Sequence, residues 1–377
     1  MTLRISALSI AFFSLATAYA QSGPTVGSVT VFATGGPVGG TAPDSITDGN
    51  GSIWVEYGNT ASSIGAGGSS TIVEYSAAGA IEHRFTIAGE VDGLKVDPVT
   101  GMVWALQNQD ANATLSLINP KTDVVTGPMK YASPPYVYGP VTAPSGVGRG
   151  YDDVAFLDGK VYLSYTNPVN PSDSVLQILN QGNHPSGTLT TTSILTANQT
   201  NSLFTSSTQN PPDIDSLKST PNGELVLTSE GDGLGPAWAT SDGRYTLISD
   251  PGTSNQTVTN VRVTNAAGVN VNGMDDVIFP GTTSGTLYVA GTSGNEVYAV
   301  HLTGLNPNTP IISLGSFNEV ATVNPITGVV EKPLLSVASP HGLDFVPSTA
   351  GVPEPATLGL LGLGLAGIGF ARRKRSR

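Results

Sequence analysis

The stretch Asp92-Gly93-Leu94-Lys95-Val96-Asp97-Pro98-Val99-Thr100-Gly101-Met102-Val103-Trp104-Ala105 reads as two short strands around a tight turn. Asp97-Pro98 opens the turn. Gly101 closes it, at a position that needs a positive φ. The flanks carry apolar and aromatic residues of the kind that pack on a half-buried pleated surface.

The same unit recurs in both directions along the chain. Its second strand reappears as Gly51-Ser52-Ile53-Trp54-Val55, Gly159-Lys160-Val161-Tyr162-Leu163, Gly223-Glu224-Leu225-Val226-Leu227 and Gly285-Thr286-Leu287-Tyr288-Val289. Its first strand begins near an acid each time: Asp44-Ser45-Ile46, Asp152-Asp153-Val154, Asp213-Ile214-Asp215 and Asp275-Asp276-Val277. His341-Gly342-Leu343-Asp344-Phe345 is a sixth first strand with no hairpin after it. Further strands follow at Thr71 to Tyr75, Ala113 to Ile118, Val175 to Leu179 and Glu296 to Leu302. Each unit therefore holds three or four antiparallel strands, repeating every 50–64 residues or so, a period typical of stacked or circular repeat folds.

Composition agrees. Charged residues are 12% of the 377, while the chain holds 46 Gly and 27 Pro, a mix that suits many short strands joined by turns. The expected fold class is all-β, a β-propeller of five to six blades, with a short C-terminal transmembrane helix. The turn at 97–101 and the strand ends Ile118-Asn119-Pro120 and Val323-Asn324-Pro325 resemble those of NHL, SMP-30 and streptogramin-lyase-like propellers. Five blades read as complete and a sixth as partial, with Ser28 to Phe32 as a candidate closing strand. A β-sandwich, or two of them, is the competing arrangement.

The ends carry targeting signals. Residues 1–20 have the parts of a signal peptide: Arg4, the apolar run Ile5 to Leu15, and Ala18-Tyr19-Ala20 before Gln21. At the other end Val352-Pro353-Glu354-Pro355 precedes the apolar run Ala356 to Ala371 and the cluster Arg372-Arg373-Lys374-Arg375. This order resembles the PEP-CTERM sorting signal. The resemblance implies a sorting motif at Val352, Pro353, Glu354 and Pro355, a temporary transmembrane segment at 356–371, and an exosortase-type membrane protease as partner. It also implies export from a Gram-negative cell that makes exopolysaccharide or biofilm matrix. The expected division is signal peptide 1–20, propeller body 21–350 and sorting tail 351–377. The basic cluster should stay cytoplasmic while the body crosses.

The net charge is −12, and six of the 16 basic residues lie in those two ends, against one acid, Glu354. The body is thus more acidic than the whole chain. It would be repelled by nucleic acid and attract divalent cations. There is no cysteine, which excludes disulfides, thiol nucleophiles and cysteine-held zinc.

In a propeller the first strand of each blade lines the central channel. The acids that open these strands would then converge on one axis. Asp152, Asp153, Asp213, Asp275, Asp276 and Asp344, with Asp92 and Asp215, are the candidate ligands for a hard cation such as calcium. The competing reading has each acid capping its own turn. His341 beside Asp344 reads as a structural histidine, and Trp54 and Trp104 as core. Trp238, after the loop-like stretch Gly231 to Pro236, is a candidate for surface recognition. No catalytic constellation stands out. The expected role is an exported envelope or extracellular-matrix protein whose body is a non-catalytic binding module for a polysaccharide or protein ligand. The alternatives are a metal-dependent lactonase or lyase of the SMP-30 or streptogramin-lyase type, and a structural spacer.

Overall fold

The computed structural model describes residues 23–132, 150–168, 170–200, 212–232 and 243–348. The expected signal peptide at 1–20, the tail from 351 with its apolar run, and Trp238 lie outside the described residues. Among the described residues no helix is long and apolar enough to cross a membrane.

Six four-stranded antiparallel sheets form the body. The chain enters through β1 (Thr25–Thr34), then builds four blades in sequence. Blade I holds β2 (Pro43–Gly49), β3 (Ser52–Tyr57), β4 (Ser69–Ser76) and β5 (Ile81–Ala88). Blade II holds β6 (Val91–Val96), β7 (Val103–Gln107), β8 (Thr114–Asn119) and β9 (Val124–Lys130). Blade III holds β10 (Tyr151–Leu157), β11 (Lys160–Tyr165), β12 (Ser174–Leu179) and β13 (Thr191–Thr196). Blade IV holds β14 (Pro212–Ser219), β15 (Leu225–Asp232), β16 (Arg244–Ser249) and β17 (Thr257–Arg262).

The last two blades are interleaved. After β18 (Met274–Ile278) the chain makes β19 (Ser284–Gly291) and β20 (Glu296–Thr303), then β21 (Ile311–Leu314), β22 (Glu319–Val323), β23 (Val330–Ser336) and β24 (Pro340–Pro347). Blade V is β18-β21-β22-β23, and blade VI is β24-β19-β20-β1. The inner strands β2, β6, β10, β14, β18 and β24 touch in a closed ring. The expected closing strand at Ser28 to Phe32 is the outer strand of blade VI, so first and last strands share one sheet and no blade is left open.

Four expectations need correction. The strand at Asp275 does not form a hairpin with the strand at Gly285; β18 pairs with β21, and β19 pairs with β24 and β20. The blade at His341 is complete, because its hairpin precedes its inner strand. Gly285 also differs from the turn glycines it resembles in sequence. Gly51, Gly101, Gly159 and Gly223 have φ of 86°, 71°, 72° and 79°, but Gly285 lies inside β19. A Cβ there would sit 2.4 Å from Phe345 Cζ, so close packing, not a turn, requires the glycine. The stretch read as a loop from Gly231 likewise begins within β15.

Six apolar clusters hold the ring, one between each neighbouring pair of blades. Alternation in the strands puts one face of each sheet against the next blade. Trp54 seals blade I against II, and Trp104 seals II against III; both are fully buried, as core residues. Burying side chains of that size stabilises by roughly 3 kcal/mol each.

Candidate cation centre at the propeller mouth

Every inner strand carries the same irregularity near its start. Three residues advance on the inner strand while two advance on its partner: Pro43 to Ile46 against Tyr57 to Val55, and Val91 to Leu94 against Gln107 to Ala105. The same holds for Tyr151 to Val154, Ile214 to Leu217, Met274 to Val277 and Pro340 to Leu343. A β-bulge of this kind turns adjacent side chains out of strict alternation. Here it delivers two consecutive residues per blade to the axis; Asp44 with Ser45, Asp215 with Ser216, and Asp275 with Asp276 all line one central space.

The first bulge residues form an upper ring: Asp44, Asp92, Asp152, Asp215, Asp275 and His341. The second form a lower ring: Ser45, Gly93, Asp153, Ser216, Asp276 and Gly342. The lower ring fastens neighbouring blades together in pairs, I to II, III to IV and V to VI. Ser45 Oγ accepts from Leu94 N at 3.2 Å, Asp153 Oδ2 from Leu217 N at 3.0 Å, and Asp276 Oδ2 from Leu343 N at 2.6 Å. Blades II and VI, which receive two of these bonds, have glycine at the equivalent place. A Cβ at Gly93 would lie 2.4 Å from Asp152 O, and one at Gly342 would lie 2.3 Å from Asp44 O.

The upper ring brings carboxylates into three groups whose ligand atoms lie within 4.8 Å of one another: Asp92, Asp152 and Asp215; Asp215, Glu230 and Asp275; and Asp44, Asp275 and His341. Asp215 and Asp275 each belong to two. Among the described residues the buried Asp215 Oδ2 has no hydrogen-bond partner. The central space has a volume of about 30 Å³, room for an ion or a water but not for a sugar or lactone ring.

Burial and close packing raise most of these carboxyls above the ordinary range. Burial, opposed by a hydrogen bond with Asp92 and reinforced by Asp213, pushes the Asp152 carboxyl up to about 8. Burial, Asp275 and Asp213 push Glu230 to about 8, and burial, Asp110 and Asp275 push Asp213 to about 6. Asp92 and Asp215 are raised well above the usual range by burial and then by Asp152 and Asp275 respectively.

His341 is the one cationic member of the ring. Its Nδ1 lies 2.8 Å from Asp44 Oδ1 and 3.1 Å from Asp275 Oδ1. Burial alone would lower its pKa, but the two carboxylates overcome this and hold it up at about 12. Asp44 in turn is lowered, because His341 outweighs the burial that would raise it. Ser339 Oγ lies 3.2 Å from His341 Nε2. An imidazolium in that place donates to the hydroxyl and has no free nitrogen to take its proton.

Of the residues expected to hold a metal, Asp92, Asp152, Asp215 and Asp275 stand in these groups. Asp153 and Asp276 are in the lower ring, where backbone N–H groups and lysines occupy them: Lys95 Nζ is 3.3 Å from Asp153 Oδ2 and Lys218 Nζ is 2.5 Å from Asp276 Oδ2. Lys218 also donates to Leu343 O. Together with Ser216 Oγ, which donates to Asp276 Oδ1 at 2.6 Å, these pairs plug the channel. Asp213 stands beside the groups without joining them. Asp344 lies beyond the plug. Burial and Asp48 raise its carboxyl to about 7, against the opposing pull of Lys218 and Lys95.

Glu230 was missed from sequence. It follows Ser229, the partner of Ile214, so only the strand register carries it to the mouth.

Below the plug the channel widens into a funnel of about 590 Å³. Lys95 lines both spaces, so the mouth and the funnel are separated by little more than one layer of side chains.

Residues 351–375 match the PEP-CTERM protein-sorting motif. That motif implies export, sorting to the cell surface and processing by an exosortase. No curated protein matches this sequence. Among solved structures the chain is similar to Kuenenia stuttgartiensis hydrazine synthase, at 9% identity over 75% of this chain and 64% of that one, with a TM-score of 0.38. It spans less than two thirds of that protein. It is also similar to a luciferin-regenerating enzyme (11% identity, 71% and 78% covered, TM-score 0.36) and to a chain of a nidogen/laminin complex (10%, 75% and 96%, TM-score 0.35).

Proposed function

We propose that the body is a cation-dependent, non-catalytic binding module that works in the cell envelope or extracellular matrix. The observation that carries this reading is the bulge repeated in all six blades, which gathers five aspartates at equivalent positions and leaves Asp215 Oδ2 buried and unpartnered. Oxygen-only ligands favour a hard ion, and calcium accepts the irregular geometry that a ring of strands offers. Asp92, Asp152, Asp215, Glu230 and Asp275 supply the oxygens. The ion's outward positions then remain open to a carboxylate or hydroxyl of a matrix polysaccharide or protein.

Only the folded ring presents this site. At a hundredfold excess over the dissociation constant, calcium should therefore stabilise the protein by about 2.7 kcal/mol. Thermal unfolding with calcium and with chelator measures this, with Asp215→Asn as the variant that loses the response. Identical melting in both conditions, with no heat of calcium binding, would leave the upper ring as structure alone. Calcium-dependent turnover of simple lactones would instead favour the lactonase reading, in which the ion polarises a carbonyl.

In the same proposal, residues 1–20 are removed on export and the tail from residue 351 is a temporary anchor. Changing Pro353, Glu354 and Pro355 to alanine should trap a membrane-bound precursor, seen by fractionation and immunoblotting. An undiminished yield of tail-less soluble protein from that variant would refute motif-dependent processing.

A further inference from the structure

The funnel on the far side of the plug is built unlike the mouth. We propose that it is a saccharide-binding site, independent of the cation reading.

Its volume of about 590 Å³ is that of a small-ligand site, which ordinarily runs to several hundred Å³. Its floor presents fixed donors and a fixed acceptor side by side. Lys95 and Lys218 bring ammonium groups that are nearly buried, with side chains 14% and 9% exposed. Each ammonium has three N–H groups. Among the described residues Lys95 has one carboxylate within ion-pair distance, Asp153, which leaves N–H groups for the space it lines. Asp344 lines the same floor, and its buried Oδ2 has no hydrogen-bond partner among the described residues.

That pairing selects the occupant. An anionic head would meet Asp344 and, beside it, Asp48; a cationic head would meet two ammonium groups. An uncharged hydroxyl gives one hydrogen bond and takes two, so vicinal hydroxyls answer both kinds of group at no cost in net charge. A buried acceptor left unanswered is costly, and a charge-assisted bond to it is among the stronger kinds.

The walls are suited to the other half of a sugar. Phe156, Phe279 and Phe345 each stand two residues after the bulge-closing residue of their strand, in blades III, V and VI. All three line the funnel. Phe345 is buried, 7% exposed, and backs the wall, while the partly exposed Phe156 and Phe279 offer apolar surface to the C–H face of a pyranose.

The test uses the exported protein, purified without glycoside detergents and kept in EDTA so that a vacant cation site does not bear on the result. The probes are methyl β-D-glucopyranoside, methyl β-D-galactopyranoside and methyl α-D-mannopyranoside, read by saturation-transfer NMR. At least one should receive saturation. Asp344→Asn should weaken its binding by about tenfold. Phe279→Leu should weaken it independently, and both variants are checked for an unchanged melting profile. Absence of transfer to all three glycosides overturns the proposal. So does equal binding by both variants, or preferential binding of octanoate or octylammonium, which would assign the funnel to a charged amphiphile.

Discussion

Lys218→Met is expected to destabilise the protein by about 3–5 kcal/mol, the usual cost of leaving one member of a buried ion pair alone. The Lys218 side chain is 9% exposed and that of Asp276 is 4% exposed, so solvent does little to replace the lost partner. Methionine keeps the length and most of the apolar stem, which confines the change to the ammonium. Two bonds go with it, one to Asp276 Oδ2 in blade V and one to Leu343 O in blade VI. Asp276 still accepts from Ser216 Oγ, Val277 N and Leu343 N, which holds the carboxylate in place without neutralising it. Lys95→Met should cost less, because its pair with Asp153 is longer, at 3.3 Å. Equilibrium urea unfolding of the two variants measures both losses. A Lys218→Met protein within about 1 kcal/mol of the parent would show that the plug is not an energetic keystone.

The blades were legible because their punctuation is local. Four turn glycines with positive φ mark the hairpins from β2–β3 to β14–β15, and the β-branched and aromatic residues after them make strands such as β3, β7 and β11 that are buried on both faces. Blades V and VI were not legible in the same way. Gly285 looks like a fifth turn glycine, but its place is decided by Phe345, which is 60 residues away in sequence. No local pattern announces that a hairpin belongs to the sheet of a strand made later.

The mouth was legible in part for the same reason. That acids open each inner strand is visible along the chain, and Asp152 and Asp275 follow from it. Which of two adjacent acids faces an ion is a matter of the bulge. Strict alternation would put Asp152 and Asp153 on opposite faces, whereas the bulge turns both inward and divides the roles: Asp152 to the upper ring and Asp153 to Leu217 N and Lys95. Asp344 is displaced for a related reason. It stands three residues after His341, the residue of blade VI that occupies the upper ring, and so falls on the funnel side. The lysines carried no signal, since a lone lysine in a strand reads as a solvated face.

Without divalent cations, stability should fall as pH rises from about 5 to about 8, by about 1.4 kcal/mol per pH unit for each extra proton the native state holds. Unfolded carboxyls release their protons near 4. In the folded ring Asp152 and Glu230 hold theirs to about 8, Asp213 to about 6, and Asp92 and Asp215 well above the usual range. Between those limits the native state binds more protons than the unfolded chain, so raising the pH favours unfolding. His341 acts in the same direction. Its folded value of about 12 exceeds the ordinary 6.5, so the stability from its carboxylate partners is complete below 6.5 and is lost as pH climbs toward 12. Asp44 has the opposite sign, but its lowered carboxyl titrates below this window. Most acidic proteins behave the other way, losing stability on acidification as paired carboxylates are protonated. Calcium should flatten the slope, because an ion that replaces the shared protons stabilises the charged ring and binds better as the pH rises. Scanning calorimetry across this range, in EDTA and in millimolar calcium, gives both curves. Asp152→Asn should shallow the EDTA slope by removing one of the held protons. A melting temperature in EDTA that rises steadily to pH 8, or two curves that run parallel, would mean that the ring is already charged and needs no cation.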